Sequence, residues 1–302
     1  MFLLIDAGNT RIKWALVAHD AAPGEWLQQG VADHHAFPPE VIRQAVVAAA
    51  AVAAAAVAAA AGGATADKTP RAADSVAADT ISDRVDTTAA TVRAVWIANV
   101  AGANVRSCLQ TVLQTALPAV PVHWFASSSQ ACGLENGYRE PTQLGCDRFA
   151  AAIGARRLFP GQTLLVANCG TATTLDAISA AGRFVGGMIL PGLGTMARSL
   201  NQKTAQLPPV EYSQPGVLHL ADNTEQAIIS GCIAAQIGAI EQGLRLLRRH
   251  SPQVLCILSG GAAHVLGAAL SEPHRVQDHL VLHGLQAVAA QALPETRSEK
   301  SC

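Results

Sequence analysis

No excess of basic charge marks this chain. Lys and Arg number 21 against 22 Asp and Glu, for a formal net charge of −1, and no run of Lys/Arg occurs. A nucleic-acid backbone is bound through clustered positive charge, so nucleic acid is not an expected partner. No CxxC pair occurs among the seven cysteines, Cys108, Cys132, Cys146, Cys169, Cys232, Cys256 and Cys302. Their odd number and irregular spacing argue against a disulfide framework and a zinc site, and point to a reducing, cytoplasmic compartment. Neither GxxxxGKS nor GxxxxGKT is present, which excludes a Walker-type phosphate loop, and no GxGxxG is present, which argues against a dinucleotide fold or a protein-kinase loop. The opening MFLLIDAGNTRIK has no basic region and no small-residue cleavage site, so it does not read as a signal peptide. The longest apolar stretch, residues 46–61, is alanine-rich and too short for a membrane span, so no membrane is expected.

What is present is a chain of 302 residues, half of them hydrophobic, enough for two ordinary domains. Residues 2–5 are a short apolar run ended by Asp6-Ala7-Gly8-Asn9-Thr10, and residues 11–17 alternate, with Ile12, Trp14 and Leu16 on one face. That pattern predicts a β-hairpin with a polar tip. A third strand is expected over 26–31, strands over 94–100 and 120–125, and a helix near 104–116. Between 45 and 90 the composition shifts to Ala/Val and then to Gly, Thr, Ala and Asp, which reads as a helix extended into a surface insertion. The second half predicts a helix over 148–158 and strands over 163–167, 173–178, 183–188 and 254–258. It also predicts a helix over 195–202 and a long helix from Asn223, whose N-cap is followed by Gln226 three residues on. This α/β order places a domain boundary near 126, giving domains 1–126 and 127–302.

The halves echo each other. Each has a strand, a turn of the form Asp/Asn-x-Gly with a nearby Thr, and another strand: Asp6-Ala7-Gly8-Asn9-Thr10 in the first, Asn168-Cys169-Gly170-Thr171 in the second. Backbone N–H groups in such turns can cradle a phosphate, with Thr10 and Asn9 adding donors and Lys13 a positive charge. Asp6, at the end of a strand, suits Mg²⁺ held through water. Each turn alone is equally an ordinary hairpin turn. Ser259-Gly260-Gly261 after a late strand offers bare backbone on which an adenine ring could lie. A third cluster runs from Gly137-Tyr138 to Leu144-Gly145-Cys146-Asp147-Arg148. Asp147 sits at the first turn of an expected helix, where a carboxylate can accept a hydroxyl proton, or can simply suit the helix dipole. Arg148 is placed to pair with a carboxylate of substrate or protein.

Taken in order, DAGNTRIKW, GYREPTQLGCDR, CGTATTLD, GGMILPG and LSGG resemble the signature segments of type III pantothenate kinases, and they spread over nearly the whole chain. The resemblance implies an α/β fold of two actin-like (ribonuclease H-like) domains, mixed sheets flanked by helices, with ATP in the cleft between the domains. It implies a homodimer and ATP-dependent phosphorylation of pantothenate to 4′-phosphopantothenate, the first step toward coenzyme A. By match to the family motifs, Asp6, Ala7, Gly8, Asn9, Thr10, Arg11, Ile12, Lys13 and Thr171 would bind ATP with Mg²⁺, and Asp147 would be the general base. Tyr138, Gly145, Cys146, Asp147, Arg148 and Thr204 would contact pantothenate. The family usually has Asp at the position of Asn168, where it holds a monovalent cation, K⁺ or NH₄⁺. Asn keeps a carbonyl oxygen and loses the charge. Two other readings accompany this one: another actin-fold kinase or phosphatase, and a non-catalytic accessory regulator of transcription.

Overall fold

The computed structural model describes residues 1–33, 44, 45, 47, 92–203 and 218–292. Most of the alanine-rich insertion, and Thr204, lie outside these residues. The chain divides into two compact units, Met1–Phe125 and Ala126–Cys302.

The first unit is built on a five-stranded sheet. Its strands are β1 (Phe2–Ala7), β2 (Arg11–Val17), β3 (Gln28–Asp33), β4 (Ala94–Asn99) and β5 (Val122–Phe125), in the order β3-β2-β1-β4-β5. The expected hairpin is there: β1 and β2 are antiparallel, with Phe2 opposite Val17 and Asp6 opposite Lys13. The alternation in β2 has the anticipated result, since Ile12, Trp14 and Leu16 join Leu3, Ile5, Val95 and Ile97 in one core. Helix α1 (Ala103–Ala116) closes that core with Val105, Leu109 and Leu113, which recur at helical spacing. The third strand begins two residues later than the composition suggested.

The second unit holds a seven-stranded sheet. Its strands are β6 (Gln130–Ala131), β7 (Leu134–Asn136), β8 (Leu164–Cys169), β9 (Ala172–Ile178), β10 (Arg183–Pro191), β11 (Leu255–Ser259) and β12 (His274–Val276), in the order β12-β11-β8-β9-β10-β7-β6. Strands β8, β9 and β10 are antiparallel neighbours, while β11 runs parallel to β8 and β12 parallel to β11. The first unit has the same order and senses: β1, β2 and β3 antiparallel, β4 parallel to β1, and β5 parallel to β4. The weak sequence echo is therefore a repeated topology, and β1–β2 and β8–β9 are its equivalent hairpins.

Helices cover both faces of the second sheet. On one side α3 (Leu193–Lys203), α4 (Thr224–Arg248) and α5 (Ala263–Ala269) pack on Leu165, Ala167, Cys169 and Leu175. Helix α4 starts where its cap predicted, with Asn223 Oδ1 accepting the N–H of Gln226 at 3.0 Å. Its length and apolarity would suffice to cross a membrane. In this fold its stripe of Ile228, Ile233, Ile237, Ile240 and Leu244 is buried in the core instead, each side chain contributing roughly 1.5–3 kcal/mol. On the other side lie α2 (Cys146–Leu158) and α6 (Leu280–Gln291). These two helices approach backbone to backbone: a Cβ at Gly284 would collide with the Ala150 carbonyl, and one at Gly154 would meet the Gly284 nitrogen at 2.9 Å. Helix α6 fixes α2 in place, and α2 carries Asp147 and Arg148.

Candidate active site

In the first unit, the register of β1 and β2 sets Asp6 across from Lys13 and Ala7 across from Ile12. The Gly8 N–H donates to the Arg11 carbonyl at 3.1 Å and closes the turn, leaving Asn9 and Thr10 exposed at its tip. Asp6 and Lys13 are half-buried, whereas Ala7 and Ile12 are buried, so only their backbone can face a ligand. The structure adds a residue the sequence reading passed over. Asn99 ends β4 beside Ala7, and the Val100 N–H donates to the Ala7 carbonyl at 3.0 Å. Asn99 Oδ1 accepts the Ala101 N–H at 3.0 Å and its Nδ2 donates to the Gly102 carbonyl at 3.0 Å. The signal was available: a polar residue ending an apolar strand, as Asp6 and Asn168 stand one place before the ends of β1 and β8.

In the second unit, Asn168 lies opposite Thr174 on β9 and beside Ser259 on β11. Gly170 N–H donates to the Ala172 carbonyl at 3.0 Å, which shapes the turn. The Thr171 carbonyl accepts from Gly192 N–H at 3.0 Å and from Thr195 Oγ1 at 2.7 Å, so the start of α3 braces this turn. From the other flank, Ala262 N–H donates to the Cys169 carbonyl at 3.1 Å. Gly260 has φ +89°, and a Cβ there would stand 2.9 Å from Asn168 Oδ1 and 2.7 Å from the Cys169 carbonyl. Only glycine suits both that φ and that approach. The fold thus brings Asn168, Thr171 and Ser259-Gly260-Gly261, three separate sequence signals, to one end of the sheet.

The third cluster forms on the α2 face. Asn136 organises the loop before it, with Nδ2 donating to the carbonyls of Ser128 and Pro141, each at 3.1 Å, and Oδ1 accepting the Tyr138 N–H at 3.1 Å. Asp147 lies in the first turn of α2, as expected, and its Oδ1 accepts the Arg148 backbone N–H at 2.8 Å. A Cβ on Gly145 would come within 2.7 Å of that same oxygen, so glycine leaves room for the carboxylate to fold back over the helix start. Burial pushes the Asp147 carboxyl above its ordinary range, and Arg148 pulls it only partly back. Arg148 is itself buried and finds its carboxylate within the protein: Nε donates to Asp176 Oδ1 at 2.9 Å, Nη2 donates to the same oxygen, and Nη1 donates to Tyr138 Oη at 3.0 Å. Asp176, on β9, also accepts from Thr174 Oγ1 at 3.2 Å. Burial pushes Asp176 up to about 6 against the pull of Arg148 and Thr174. Burial lowers Arg148, but Asp176 and Tyr138 more than offset it. The guanidinium also lies over the rings of Tyr138 and Phe184, at 5.9 and 5.8 Å from their centroids.

A largely buried carboxylate at a helix start and glycine-containing turns with exposed backbone donors are parts that phosphoryl-transfer enzymes use. A family profile described as type III pantothenate kinase matches residues 2–245. The chain belongs to the type III pantothenate kinase family. It is 44% identical to the type III pantothenate kinase of Janthinobacterium sp. (strain Marseille), over 97% of this chain and 99% of that one. To the Herminiimonas arsenicoxydans type III pantothenate kinase it is 42% identical at the same coverage. Among solved structures, a Campylobacter jejuni protein described as a Baf family transcriptional activator aligns with TM-score 0.52 at 16% identity, over 96% of this chain and 98% of that one. A Sinorhizobium meliloti protein described as a 2-dehydro-3-deoxygalactonokinase aligns with TM-score 0.52 at 14% identity, over 97% of this chain and 100% of that one. At such identities these two establish the fold, an actin-like α/β arrangement with mixed sheets flanked by helices.

For a member of the pantothenate kinase family, the residues present fit a magnesium nucleotide. No group of three or more His, Cys, Asp or Glu side chains is gathered for a metal among the described residues. Mg²⁺ is usually held by substrate phosphates, waters and one or two carboxylates, and Asp6 near the end of β1 is a half-buried carboxylate.

Proposed function

We propose that this chain transfers the γ-phosphoryl group of ATP to the primary hydroxyl of pantothenate, with Asp147 as general base. Membership of the type III pantothenate kinase family supports the reaction. The single structural observation that carries the role of Asp147 is its half-buried carboxylate at the start of α2, raised by burial and set next to Arg148. A raised carboxylate is a better proton acceptor near neutral pH than an ordinary one. Asp147 takes the hydroxyl proton as the oxygen attacks the γ-phosphorus, the bond from that phosphorus to the β,γ-bridging oxygen breaks, and ADP leaves. Such transfer rests on positioning and charge stabilisation.

Residues 6–13 and Thr171 bind the nucleotide, with Mg²⁺ neutralising the phosphates beside Asp6. Tyr138 and the segment 145–148 hold pantothenate, with Thr204 reaching it from the second subunit of a homodimer. The cation at Asn168 is K⁺ or NH₄⁺, bound more weakly than a carboxylate would bind it. The enzyme works in the cytoplasm, without membrane or nucleic acid, as domains 1–126 and 127–302.

The test is ADP release by purified protein given ATP, Mg²⁺ and pantothenate, with and without K⁺ or NH₄⁺. ADP release that depends on pantothenate supports the reading. Turnover that ignores pantothenate would instead make the chain a phosphatase, and no ADP release with any cation would overturn the pantothenate kinase reading.

A further inference from the structure

Arg148 is the group in this cluster whose position the substrate reading does not explain. Its side chain is 6% exposed and its guanidinium is engaged inside the protein. Nε and Nη2 converge on one oxygen of Asp176, whose side chain is 2% exposed, and Nη1 donates to Tyr138 Oη. The pair lies tight against β10: a Cβ at Gly187 would stand 2.6 Å from both Arg148 Nη2 and Asp176 Oδ1. Phe184 packs edge-to-face on Tyr138 at 5.7 Å between centroids, with the Arg148 guanidinium 5.8 Å from its own.

This arrangement has a consequence for Tyr138. An arginine can only donate, so Tyr138 Oη must be the acceptor in its bond with Nη1. The phenolic proton then points elsewhere. No protein acceptor for it occurs among the described residues, and Tyr138 is part-exposed. A hydroxyl that accepts from a cation is polarised toward donating, as hydrogen-bonded chains strengthen one another. The backbone N–H of Tyr138 is held as well, by Asn136 Oδ1, so both ends of the residue are fixed.

We propose that Asp176 is a positioning residue for the acceptor substrate: it anchors Arg148, and Arg148 orients the Tyr138 hydroxyl so that its proton is offered to an oxygen of that substrate. The oxygen is a carboxylate or amide carbonyl, the stronger acceptors of pantothenate, and the proposal rests on the pantothenate kinase reading above. Arg148, grouped above with the pantothenate-holding segment, therefore serves the substrate through Tyr138 and not by direct contact of its guanidinium. Its charge is cancelled by Asp176, which leaves the nearby Asp147 free of an uncompensated cation.

The experiment compares wild type with Asp176→Asn, Tyr138→Phe and the Tyr138→Phe/Asp176→Asn double variant in full steady-state kinetics. Asp176→Asn should raise KM for pantothenate about tenfold or more, the scale of losing one charge-assisted hydrogen bond, and leave KM for ATP unchanged. The double variant should be no worse than Tyr138→Phe, because both act on one bond. Multiplicative losses in the double variant, or a change in KM for ATP equal to that for pantothenate, would overturn the proposal. If Asp176→Asn does not fold, the neutral pair Arg148→Gln/Asp176→Asn leaves no buried lone charge and should show the same KM rise; an unchanged KM there is equally fatal. A second readout does not depend on turnover: calorimetric binding of pantothenate should weaken about tenfold or more in Asp176→Asn, as in Tyr138→Phe. Wild-type protein that neither binds nor phosphorylates pantothenate would sink the kinase reading itself, whereas wild-type binding matched by Asp176→Asn rejects the relay alone.

Discussion

Asp147 Oδ1 accepts the backbone N–H of its neighbour Arg148 at 2.8 Å, so the carboxylate is pinned over the first turn of α2. Asparagine can accept the same bond through its side-chain oxygen. Asp147→Asn should therefore keep the helix start and the fold, retain ATP binding, and lower kcat about 10²–10⁴-fold, the range a positioned base supplies. Thermal melting, nucleotide binding and steady-state kinetics on the one variant separate these outcomes. Unchanged kcat would take Asp147 out of the reaction.

Asp176 gives a pH signature. Burial pushes it up to about 6, against the opposing pull of Arg148 and Thr174. The groups facing it are Arg148 and Asp147 from α2, Thr174 from β9 and Tyr138 from the loop after β7, while β10 contributes the uncharged Gly187 and Phe184. Below about pH 6 the carboxylate takes a proton and releases Arg148, so KM for pantothenate should rise as pH falls through that value while KM for ATP stays level. In Asp176→Asn the group is gone and the KM profile should be flat over the same range. A wild-type KM for pantothenate that is constant from pH 8 to 5 would contradict this.

Much of this cluster could be read from residues in sequence. The β1–β2 hairpin followed from an apolar run, a polar turn and strict alternation, because one face of that sheet is buried and pins the register. Asn223 announced α4 through a local cap. The weak spots were non-local. Arg148 and Asp176 are 28 residues apart, and nothing in either neighbourhood says that they meet; their contact depends on the pleat of β9 turning Thr174 and Asp176 toward α2. The short strands β6, β7 and β12 carry too few residues for any period to show. Helix α6 is apolar nearly all round because it is buried nearly all round, so it has no stripe to detect. Its role becomes visible only where Gly154 and Gly284 let it touch α2.

That helix carries a titratable group of its own. His283 on α6 is buried, and burial first, then His279 and Arg157, lower it from 6.5 to about 4. The sign follows from linkage. The folded state prefers neutral His283, while the unfolded chain binds a proton near 6.5, so stability is fully present above about 6.5 and is lost as pH falls toward 4. A shift of this size corresponds to roughly 3 kcal/mol across that window. The melting temperature should fall between pH 7 and pH 4.5, and His283→Gln should reduce the fall. An equal decline in wild type and variant would assign the acid sensitivity to other groups.

Asn168 offers the last test. It sits at the end of β8, between Thr174 and Ser259, with its side-chain oxygen beside Gly260. An amide oxygen can ligate a monovalent cation but adds no charge, so the site should hold K⁺ weakly and saturate only at high concentration. Asn168→Asp places a full negative charge on the same atoms. The substitution is nearly isosteric, so Gly260 leaves room for it as it does for Asn. The K⁺ concentration giving half-maximal ADP release should fall about tenfold or more in Asn168→Asp, on the scale of a charge-assisted contact replacing a neutral one. Because phosphate oxygens are negative, the new carboxylate should also raise KM for ATP when K⁺ is withheld, and K⁺ should restore it. If Asn168→Asp shows the wild-type response to K⁺ and an unchanged KM for ATP without it, Asn168 has no part in holding the cation.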